Sequence, residues 1–226
     1  MSSPSSRGSM LLNHWERMYS GITKGLFKVT SLTKKPGLVS YTVELTDELC
    51  KNLHIGDSIS VDGVCQTVTN LQDAQVSFQA MQETLEKTTL NELEQGCFVS
   101  IERSLRFGDE IGGHDVSGHV FGTGVIHQTL KTDNNLTLII QCNQNWMKYI
   151  LPKGFIAVDG SSLTVGETNP EQGLFYLHLI PETIKLTKFA HKSVNDRVNI
   201  EFDQRTKTIV DTVERLLNTI TPSSCK

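Results

Sequence analysis

The sequence has 226 residues, of which 38% are hydrophobic and 20% are charged, and its formal net charge is −4. This composition describes an ordinary globular protein of one large or two small domains, and it excludes the strongly basic field of a nucleic-acid-binding protein. No apolar run approaches the roughly 20 residues of a membrane-spanning helix, and the five widely spaced cysteines form no CxxC pair, which indicates free thiols in a reducing cytoplasm.

The chain begins with a Ser-rich stretch, residues 1–17, that does not fit the pattern of the rest. Its composition predicts a flexible extension, and it lacks the apolar core of a secretory signal. The residues leave open whether it is a native extension, an added leader or a weak targeting segment. The folded part is predicted to begin at Met18.

From Met18 onward, short segments rich in Val, Ile, Thr and Phe alternate with turn signals such as Lys35-Pro36-Gly37 and Asp62-Gly63. This pattern predicts short strands, and their regular spacing indicates a sandwich or a closed barrel. The strands predicted in the first half are Gly25–Ser31, Val39–Leu45, Ser58–Val61, Gln66–Asn70, Gln75–Gln79 and Phe98–Arg103. Short helical segments are predicted at Thr46–Asn52 and Thr88–Leu93.

The second half of the chain repeats the first. Val61–Val68 reappears 97 residues later as Val158–Val165, and Val99–Glu102 reappears 99 residues later as Val198–Glu201. Two further blocks keep the same order: Ser20-Gly21 with Ser117-Gly118, and Met81–Leu85 with Ile180–Ile184. Blocks repeated in one order are typical of a duplication, and two repeats of this length are too few for a solenoid. We therefore predict two similar β-barrels, residues 18–113 and 114–207.

The junction of the two copies, Asp109–Gly124, is DEIGGHDVSGHVFGTG, with five glycines and two histidines. Glycine at this density indicates tight turns or backbone that closely approaches another group. We expect this segment to end one copy, begin the next and supply part of a site.

In the last part, residues 208–226, the stretch Thr208–Ile220 has one apolar stripe at helical spacing. That amphipathic helix either lies on a barrel or bundles with copies of itself.

Several side chains in or near the repeated blocks are candidates for chemistry. Cys65 takes the place in the first copy that Ser162 takes in the second, and both a structural and a functional thiol fit it. His114 and His119 suit general acid–base work, because imidazole has an ordinary pKa of about 6.5, or they stabilise a turn. The Glu-Thr pairs at 83–84 and 182–183 fit helix or turn caps, and Lys153, Asp203 and Ser58 fit ordinary turn or strand residues. No phosphate-binding loop, dinucleotide fingerprint or serine-hydrolase elbow is present.

The repeated blocks and their surroundings form five motifs: Met18–Ile22 (MYSGI), Ser60–Val68 (SVDGVCQTV), Asp109–Val120 (DEIGGHDVSGHV), Lys153–Val165 (KGFIAVDGSSLTV) and His178–Thr183 (HLIPET). In this order they resemble the riboflavin synthases of the alpha-chain type, and the resemblance covers about residues 18–217. It implies an all-β fold of two tandem, similar, closed six-stranded Greek-key β-barrels followed by the C-terminal amphipathic α-helix.

The resemblance implies an enzyme that takes two molecules of 6,7-dimethyl-8-ribityllumazine and passes a four-carbon unit from one to the other. The products are riboflavin and 5-amino-6-ribitylaminouracil, in the last step of riboflavin biosynthesis, and neither a metal nor an organic cofactor is implied. Family members are homotrimers held by the C-terminal helix, here residues 208–226, with a site between the first barrel of one subunit and the second barrel of its neighbour. A cytoplasmic enzyme without nucleic-acid or membrane partners is implied, and an association with lumazine synthase is left open.

The resemblance also assigns roles to individual residues. The first-barrel reaction centre is expected to hold Ser58, Cys65, Thr67 and His119, and to be reached by Asp203 of the partner subunit. His119 is the candidate proton carrier, and Cys65, Ser58 or a water that they hold is the candidate nucleophile or its activator. The expected substrate-binding residues are Gly21, Ile22, Thr23, Val64, Gln66, Phe78, Met81, Gln82, Glu83, Thr84, Gly118, Val120, Lys153, Ser161, Ser162, Leu163, Thr164, His178, Leu179, Ile180, Pro181, Glu182 and Thr183.

The sequence departs from the family pattern at a few positions. Tyr19 replaces Phe and adds a hydroxyl, Ser20 replaces Thr, and Gln66 replaces an apolar residue. Three other functions compete: a non-catalytic lumazine-binding antenna protein, a flavin-binding barrel module of an oxidoreductase, and a purely structural β-repeat. The enzyme is favoured over the antenna protein because the expected site residues are all present, namely Cys65, His114, His119, Ser162, Thr164 and Asp203. The sequence shows no nucleotide-binding α/β pattern, which argues against the oxidoreductase module. A structural repeat would not need the glycine- and histidine-rich junction. We expect turnover to survive deletion of residues 1–17.

Overall fold

The computed structural model describes residues 18–132 and 135–220, so the predicted extension (residues 1–17) and the end of the predicted tail lie outside the described residues. The described strands are β1 (Leu26–Lys35), β2 (Leu38–Glu44), β3 (Ser58–Val61), β4 (Val64–Gln72), β5 (Gln75–Met81), β6 (Phe98–Arg103), β7 (Gly122–Lys131), β8 (Leu136–Gln141), β9 (Phe155–Val158), β10 (Ser161–Asn169), β11 (Leu174–Leu179) and β12 (Arg197–Phe202). The described helices are α1 (Asp47–Cys50), α2 (Gln82–Lys87), α3 (Pro181–Leu186) and α4 (Gln204–Ile220), with short 3-10 segments at Thr89–Glu92, Gln144–Tyr149 and Lys188–His191.

The strands form two closed antiparallel barrels with the same topology. The ring order is β1-β2-β5-β4-β3-β6 in the first barrel and β7-β8-β11-β10-β9-β12 in the second. The pairing register shifts between Val29 and Ser31 in β1, and it shifts at the equivalent place, between Ile126 and Gln128, in β7. Such bulges bend a strand and increase its twist, which helps a short sheet to close. The prediction of two tandem closed six-stranded barrels is confirmed.

Each barrel has its own hydrophobic core, because alternate residues of a strand point to opposite faces of the sheet. In β2, for example, Val39, Tyr41 and Val43 are buried while the residues between them are partly exposed. Phe78 is fully buried in the first core and Phe175 in the second. The inward half of each strand is thus used for packing, and only the outward half is available for a site.

The predicted elements of the first half are confirmed, with shifted ends. β4 runs from Val64 to Gln72, beyond the predicted Gln66–Asn70, because its pairing with β5 continues to the Gln72–Gln75 pair at the hairpin. The helices α2 and α3 are not predicted from the pattern, since six residues are too few to show a helical period. α4 begins at Gln204 rather than Thr208, because Asp203 accepts the N–H of Thr206 at 2.9 Å and caps the helix.

The two barrels meet across an approximate two-fold axis. Tyr19 and Val116, which are 97 residues apart, exchange both of their backbone hydrogen bonds, at 2.7 and 3.0 Å. The repeated Val-Asp-Gly turns pack against each other, and a Cβ added to Gly63 would lie 2.8 Å from the Cα of Gly160. Both glycines have a positive φ, 82° and 80°, so conformation and contact each exclude a side chain. The junction therefore uses equivalent residues from both copies.

A buried polar network also crosses between the barrels. Lys188 Nζ donates to Asp62 Oδ2 at 2.6 Å, and Asn199 Nδ2 donates to the Asp62 carbonyl at 2.8 Å. Burial opposes the charged form of Lys188, but the carboxylates of Asp62 and Asp159 outweigh it and raise the pKa of that ammonium. Because a buried charge without its partner is strongly unfavourable, this network helps to fix the orientation of one barrel on the other.

Helix α4 contacts the second barrel with one face and leaves an apolar stripe exposed. The Tyr149 hydroxyl donates to Asp211 Oδ1 at 2.5 Å, and Val210 packs against the second core. The stripe consists of Ile209, Val213, Leu216 and Ile220, each of which is between 49% and 74% exposed. The helix therefore lies on a barrel and still presents an apolar surface. Within the described ranges, we find no helix with both the length and the hydropathy to cross a bilayer.

Candidate active site

Two short segments cross between the barrels and cover one strand of each. The Gly118 carbonyl, from the second copy, accepts the Cys65 N–H at 2.8 Å, and the Gly21 carbonyl, from the first copy, accepts the Ser162 N–H at 2.8 Å. Neither glycine has room for a side chain, because a Cβ at Gly118 would lie 2.8 Å from the Cys65 Cβ, and one at Gly21 would lie 2.6 Å from the Ser162 Cβ. Each barrel therefore has a site strand, β4 or β10, that is covered by a segment of the other copy.

In the first barrel, the candidate site lies on the outward face of β4. Cys65 and Thr67 point outward, because the residues on either side of each of them are buried. Ser58 pairs with Thr67 across β3 and β4, which places it on the same face, and its Oγ is buried with no hydrogen-bond partner among the described residues. The Cys65 thiol accepts a hydrogen bond from the Tyr19 hydroxyl at 3.4 Å. This face thus brings a thiol and two hydroxyls together, three of the predicted catalytic groups.

His119 follows Gly118 on the segment that covers this face. Its side chain is exposed, and its N–H donates to Ser117 Oγ at 3.3 Å. Val120, the next residue, packs against the core of the first barrel. His119 is thus held between two residues that are anchored on the first barrel, although it belongs to the second copy.

In the second barrel, Ser162 and Thr164 take the equivalent outward positions on β10. Phe155 pairs with Thr164, where the first barrel has Ser58. The His114 Nδ1 lies 2.6 Å from the Ser162 Oγ, and the His114 ring stacks on Phe155 with 5.2 Å between centroids. Burial lowers the pKa of His114, and the opposing charges of two nearby aspartates do not reverse this, so the imidazole is neutral at pH 7.

Asp203 lies between β12 and α4, on the side of the second barrel. Its Oδ2 accepts from the N–H and the hydroxyl of Thr206, at 2.9 and 2.7 Å. Burial raises the pKa of Asp203, but the hydrogen bonds from the hydroxyl and the N–H of Thr206 outweigh it and leave this pKa below its ordinary value. Asp203 is therefore ionised at neutral pH, and within one chain its charge acts on the site of the second barrel. Its contact with the reaction centre of another subunit stays a prediction.

The remaining predicted site residues fall into two groups. Partly or fully exposed are Ile22, Met81, Gln82, Glu83, Thr84, Lys153, His178, Ile180, Pro181, Glu182 and Thr183. Buried are Thr23, Val64, Gln66, Phe78, Ser161, Leu163 and Leu179. Two of them have polar partners inside the protein: Thr23 Oγ1 donates to the Leu186 carbonyl at 3.0 Å, and Gln66 Oε1 accepts from the Tyr41 hydroxyl at 3.3 Å. The exposed group is accessible to a ligand, whereas the buried group shapes the barrel walls behind it.

Two buried glutamates at the crossing segments are not predicted from the sequence. Glu102 accepts hydrogen bonds from Ser20 and Gly21, and Glu201 accepts them from Ser117 and Gly118. Burial raises the pKa of both carboxyls, although the hydrogen bonds oppose the shift. The repeat of Val99–Glu102 as Val198–Glu201 contains the signal that could have identified them. Among the described residues, no group of three or more His, Cys, Asp or Glu side chains is arranged to hold a metal ion.

Comparison with known proteins identifies both halves of the chain. The model of the lumazine binding domain matches twice, over residues 20–104 and 117–203. The chain is 44% identical to riboflavin synthase of Escherichia coli (strain K12) over 201 residues, which cover 88% of this chain and 93% of that protein. It is 40% identical to riboflavin synthase of Chlamydia pneumoniae over 200 residues, which cover 88% of this chain and 97% of that protein.

Solved structures give the same fold. The crystal structure of LumP complexed with riboflavin matches with a TM-score of 0.76 at 20% identity, covering 83% of this chain and all of that one. The structure of LumP complexed with 6,7-dimethyl-8-(1'-D-ribityl) lumazine matches with a TM-score of 0.74 at 19% identity and the same coverage. At such identity the likeness shows the fold alone, whereas the sequence relatives show the family. The chain belongs to the riboflavin synthase family of enzymes, and each of its two barrels is a lumazine-binding domain.

Proposed function

We propose that this chain converts two molecules of 6,7-dimethyl-8-ribityllumazine into riboflavin and 5-amino-6-ribitylaminouracil by transfer of a four-carbon unit. The observation that carries the proposal is the pair of equivalent outward strands, β4 and β10, each covered by a Ser-Gly segment of the other copy. Two related surfaces suit a reaction whose two substrates are the same molecule. The named activity of the relatives and the two lumazine-binding domains support it.

The two surfaces differ in a way that suits different roles. On the first barrel, Cys65 supplies a thiol and Ser58 a hydroxyl that has no hydrogen-bond partner in the described part of the chain. We assign the addition of a nucleophile to one of them or to a water that they hold. His119 is assigned as the group that removes and returns the proton of the lumazine methyl group, since an imidazole exchanges protons near neutral pH. On the second barrel, Ser162 and Thr164 are assigned to hold the second lumazine. Fixing two flat rings in one orientation supplies much of the rate enhancement.

We further propose that the enzyme is a homotrimer held by α4, and that Asp203 of the partner subunit completes the first-barrel site. The exposed stripe Ile209, Val213, Leu216 and Ile220 supports an association of helices, because an apolar face of this length is unfavourable in water. Size measured by light scattering tests it. Val213→Asn with Leu216→Asn should give monomers, and the matched double variant Thr208→Asn with Arg215→Asn, at exposed polar positions of α4, should keep the trimer. A wild-type monomer would contradict this part.

The reaction itself is tested by incubating the purified chain with 6,7-dimethyl-8-ribityllumazine and no added cofactor. We expect green flavin fluorescence to grow while lumazine is consumed, with one riboflavin formed for two lumazines. The same assay on the chain beginning at Met18 should give similar turnover. Stable lumazine emission without conversion would instead identify a non-catalytic binding protein. We place the enzyme in the cytoplasm, and co-purification with lumazine synthase would show whether the two associate.

A further inference from the structure

The two buried glutamates hold the crossing segments with the same set of hydrogen bonds. Glu201 Oε1 accepts from the N–H and the hydroxyl of Ser117, both at 2.7 Å, and its Oε2 accepts from the Gly118 N–H at 2.9 Å. Glu102 Oε1 accepts from the N–H and the hydroxyl of Ser20, both at 2.7 Å, and its Oε2 accepts from the Gly21 N–H at 3.1 Å. Only 3% of Glu201 and 4% of Glu102 is exposed, so water has little access to compete for these hydrogen bonds.

Each segment then continues to the site strand of the other barrel. Gly118, whose N–H Glu201 holds, accepts the Cys65 N–H through its own carbonyl at 2.8 Å, on the first barrel. Gly21, whose N–H Glu102 holds, accepts the Ser162 N–H through its own carbonyl at 2.8 Å, on the second barrel. The connection is therefore crossed. A carboxylate on β12 of the second barrel is connected through Gly118 to Cys65, and one on β6 of the first barrel is connected through Gly21 to Ser162.

We propose that Glu201 is a positioning residue for the Cys65–His119 site on the first barrel, and that Glu102 is the positioning residue for the Ser162 site on the second. The inference rests on the proposed function in one respect only, which is the assignment of catalysis to the Cys65–His119 site and of binding to the Ser162 site. Its structural part, that each carboxylate acts on the opposite barrel, is independent of the reaction.

The chemistry of the carboxylate explains why this residue type is needed. Both of its oxygens accept, so it satisfies three donors on two successive residues at once. A glutamine of the same shape presents N–H groups where Oε2 stood, and these face the Gly118 or Gly21 N–H as donor against donor. The glycine then moves, its carbonyl leaves the site strand, and His119 moves with Gly118. Displacements of about 1 Å in an active site reduce rates by up to roughly 10²-fold.

The matched variants Glu201→Gln and Glu102→Gln test the crossed connection in the full-length protein. Hydrogen exchange of individual amides is measured under native conditions by NMR. In Glu201→Gln we expect the Cys65 amide to exchange faster by roughly tenfold or more, with the Ser162 amide unchanged, and in Glu102→Gln we expect the reverse. A merely structural role would accelerate both amides in both variants, because exchange would then follow global unfolding. Acceleration of both amides in both variants would overturn the proposal. So would faster exchange only in the barrel that carries the substituted glutamate, or no change in either amide.

Kinetics with 6,7-dimethyl-8-ribityllumazine give the second readout. Glu201→Gln should lower kcat by roughly tenfold to 10²-fold, and Glu102→Gln should mainly raise KM, by roughly tenfold. Equal effects of the two variants on kcat would contradict the assignment of sites. If the Gln variants do not fold, Ser117→Ala and Ser20→Ala remove one donor from each carboxylate and should show the same crossed pattern with smaller size. An inactive wild type would refute the proposed function but leave the exchange experiment decisive for the crossed connection.

Discussion

The two barrels share their framework and differ on the outward faces of their site strands. Both have the same ring order, bulges at equivalent residues of β1 and β7, and a buried glutamate holding a Ser-Gly segment. On the outward face, however, the first barrel has Cys65 with Ser58 beside it, whereas the second has Ser162 with Phe155. In the second barrel, His114 fills the space between the hydroxyl and the ring.

This difference separates the residues that make the duplicated framework from those that make the chemistry. Turns and bulges occur in both copies because either barrel needs them to close and to dock on the other. The outward positions are free of that demand. One copy presents a thiol beside a hydroxyl that has no hydrogen-bond partner within residues 18–132 and 135–220, and the other presents a hydrogen-bonded serine near an aromatic ring. Framework variants should thus cost stability, and outward-face variants should cost activity.

The largest expected effect is on the framework, at the contact between the two Val-Asp-Gly turns. Gly63→Ala places a Cβ 2.8 Å from the Gly160 Cα at a φ of 82°, so strain and overpacking together should cost about 4 kcal/mol of unfolding free energy. Gly56→Ala is the matched control, since its φ is also positive but no described residue lies within 4 Å of the added Cβ. It should cost about 1 kcal/mol. Urea unfolding checks both, and equal losses would show that the contact between the turns is unimportant.

The next effect is on activity and should distinguish the two outward faces. Cys65→Ala should lower kcat on the order of 10²-fold, and His119→Gln should do the same, because they remove the proposed nucleophile and proton carrier. Ser162→Ala should act chiefly on KM, by roughly tenfold, since it is assigned to binding. Steady-state conversion of lumazine gives both constants, and circular dichroism confirms folding. Near-normal kcat in the first two variants would remove these residues from the mechanism.

A smaller effect concerns the pH dependence of stability, through the buried His114 of the second barrel. Burial lowers its pKa below the ordinary value of 6.5, so the unfolded chain takes up the proton first as the pH falls. Stability should therefore be lost as the pH falls from 7 through 6.5 to the lowered value, and His114→Gln should remove that loss. At pH 8 the variant should be less stable by about 1 kcal/mol, for the hydrogen bond to Ser162. His127→Gln, at an exposed histidine, is the control that should keep the wild-type slope.

The smallest expected effect is at Tyr19, whose hydroxyl donates to the Cys65 thiol. Tyr19→Phe removes the hydrogen bond from this hydroxyl to the Cys65 thiol and should change kcat by roughly two- to fivefold, corresponding to about 0.5–1 kcal/mol. A loss larger than 10²-fold would mean that the hydroxyl itself takes part in the reaction.

The sequence by itself determined the duplication, the two barrels, the amphipathic helix and the residue types of the site. These follow from local patterns: alternation of apolar residues, glycines at tight turns, and blocks repeated in a fixed order. The order of residues alone pairs Cys65 with Ser162 as equivalents, because the Val-Asp-Gly turn precedes both.

Only the tertiary structure decided which residues of one copy act on the other. Several contacts join residues that are far apart in the chain. They are the hydrogen bonds of Gly118 to Cys65 and of Gly21 to Ser162, those that Glu102 and Glu201 accept, and the stacking of His114 on Phe155. Such contacts arise when closed barrels dock through their Val-Asp-Gly turns, and no local pattern of hydropathy contains the geometry of that docking. Glu102 and Glu201 end the same repeated block in the sequence, and the role of each is set by the opposite barrel, which its segment contacts.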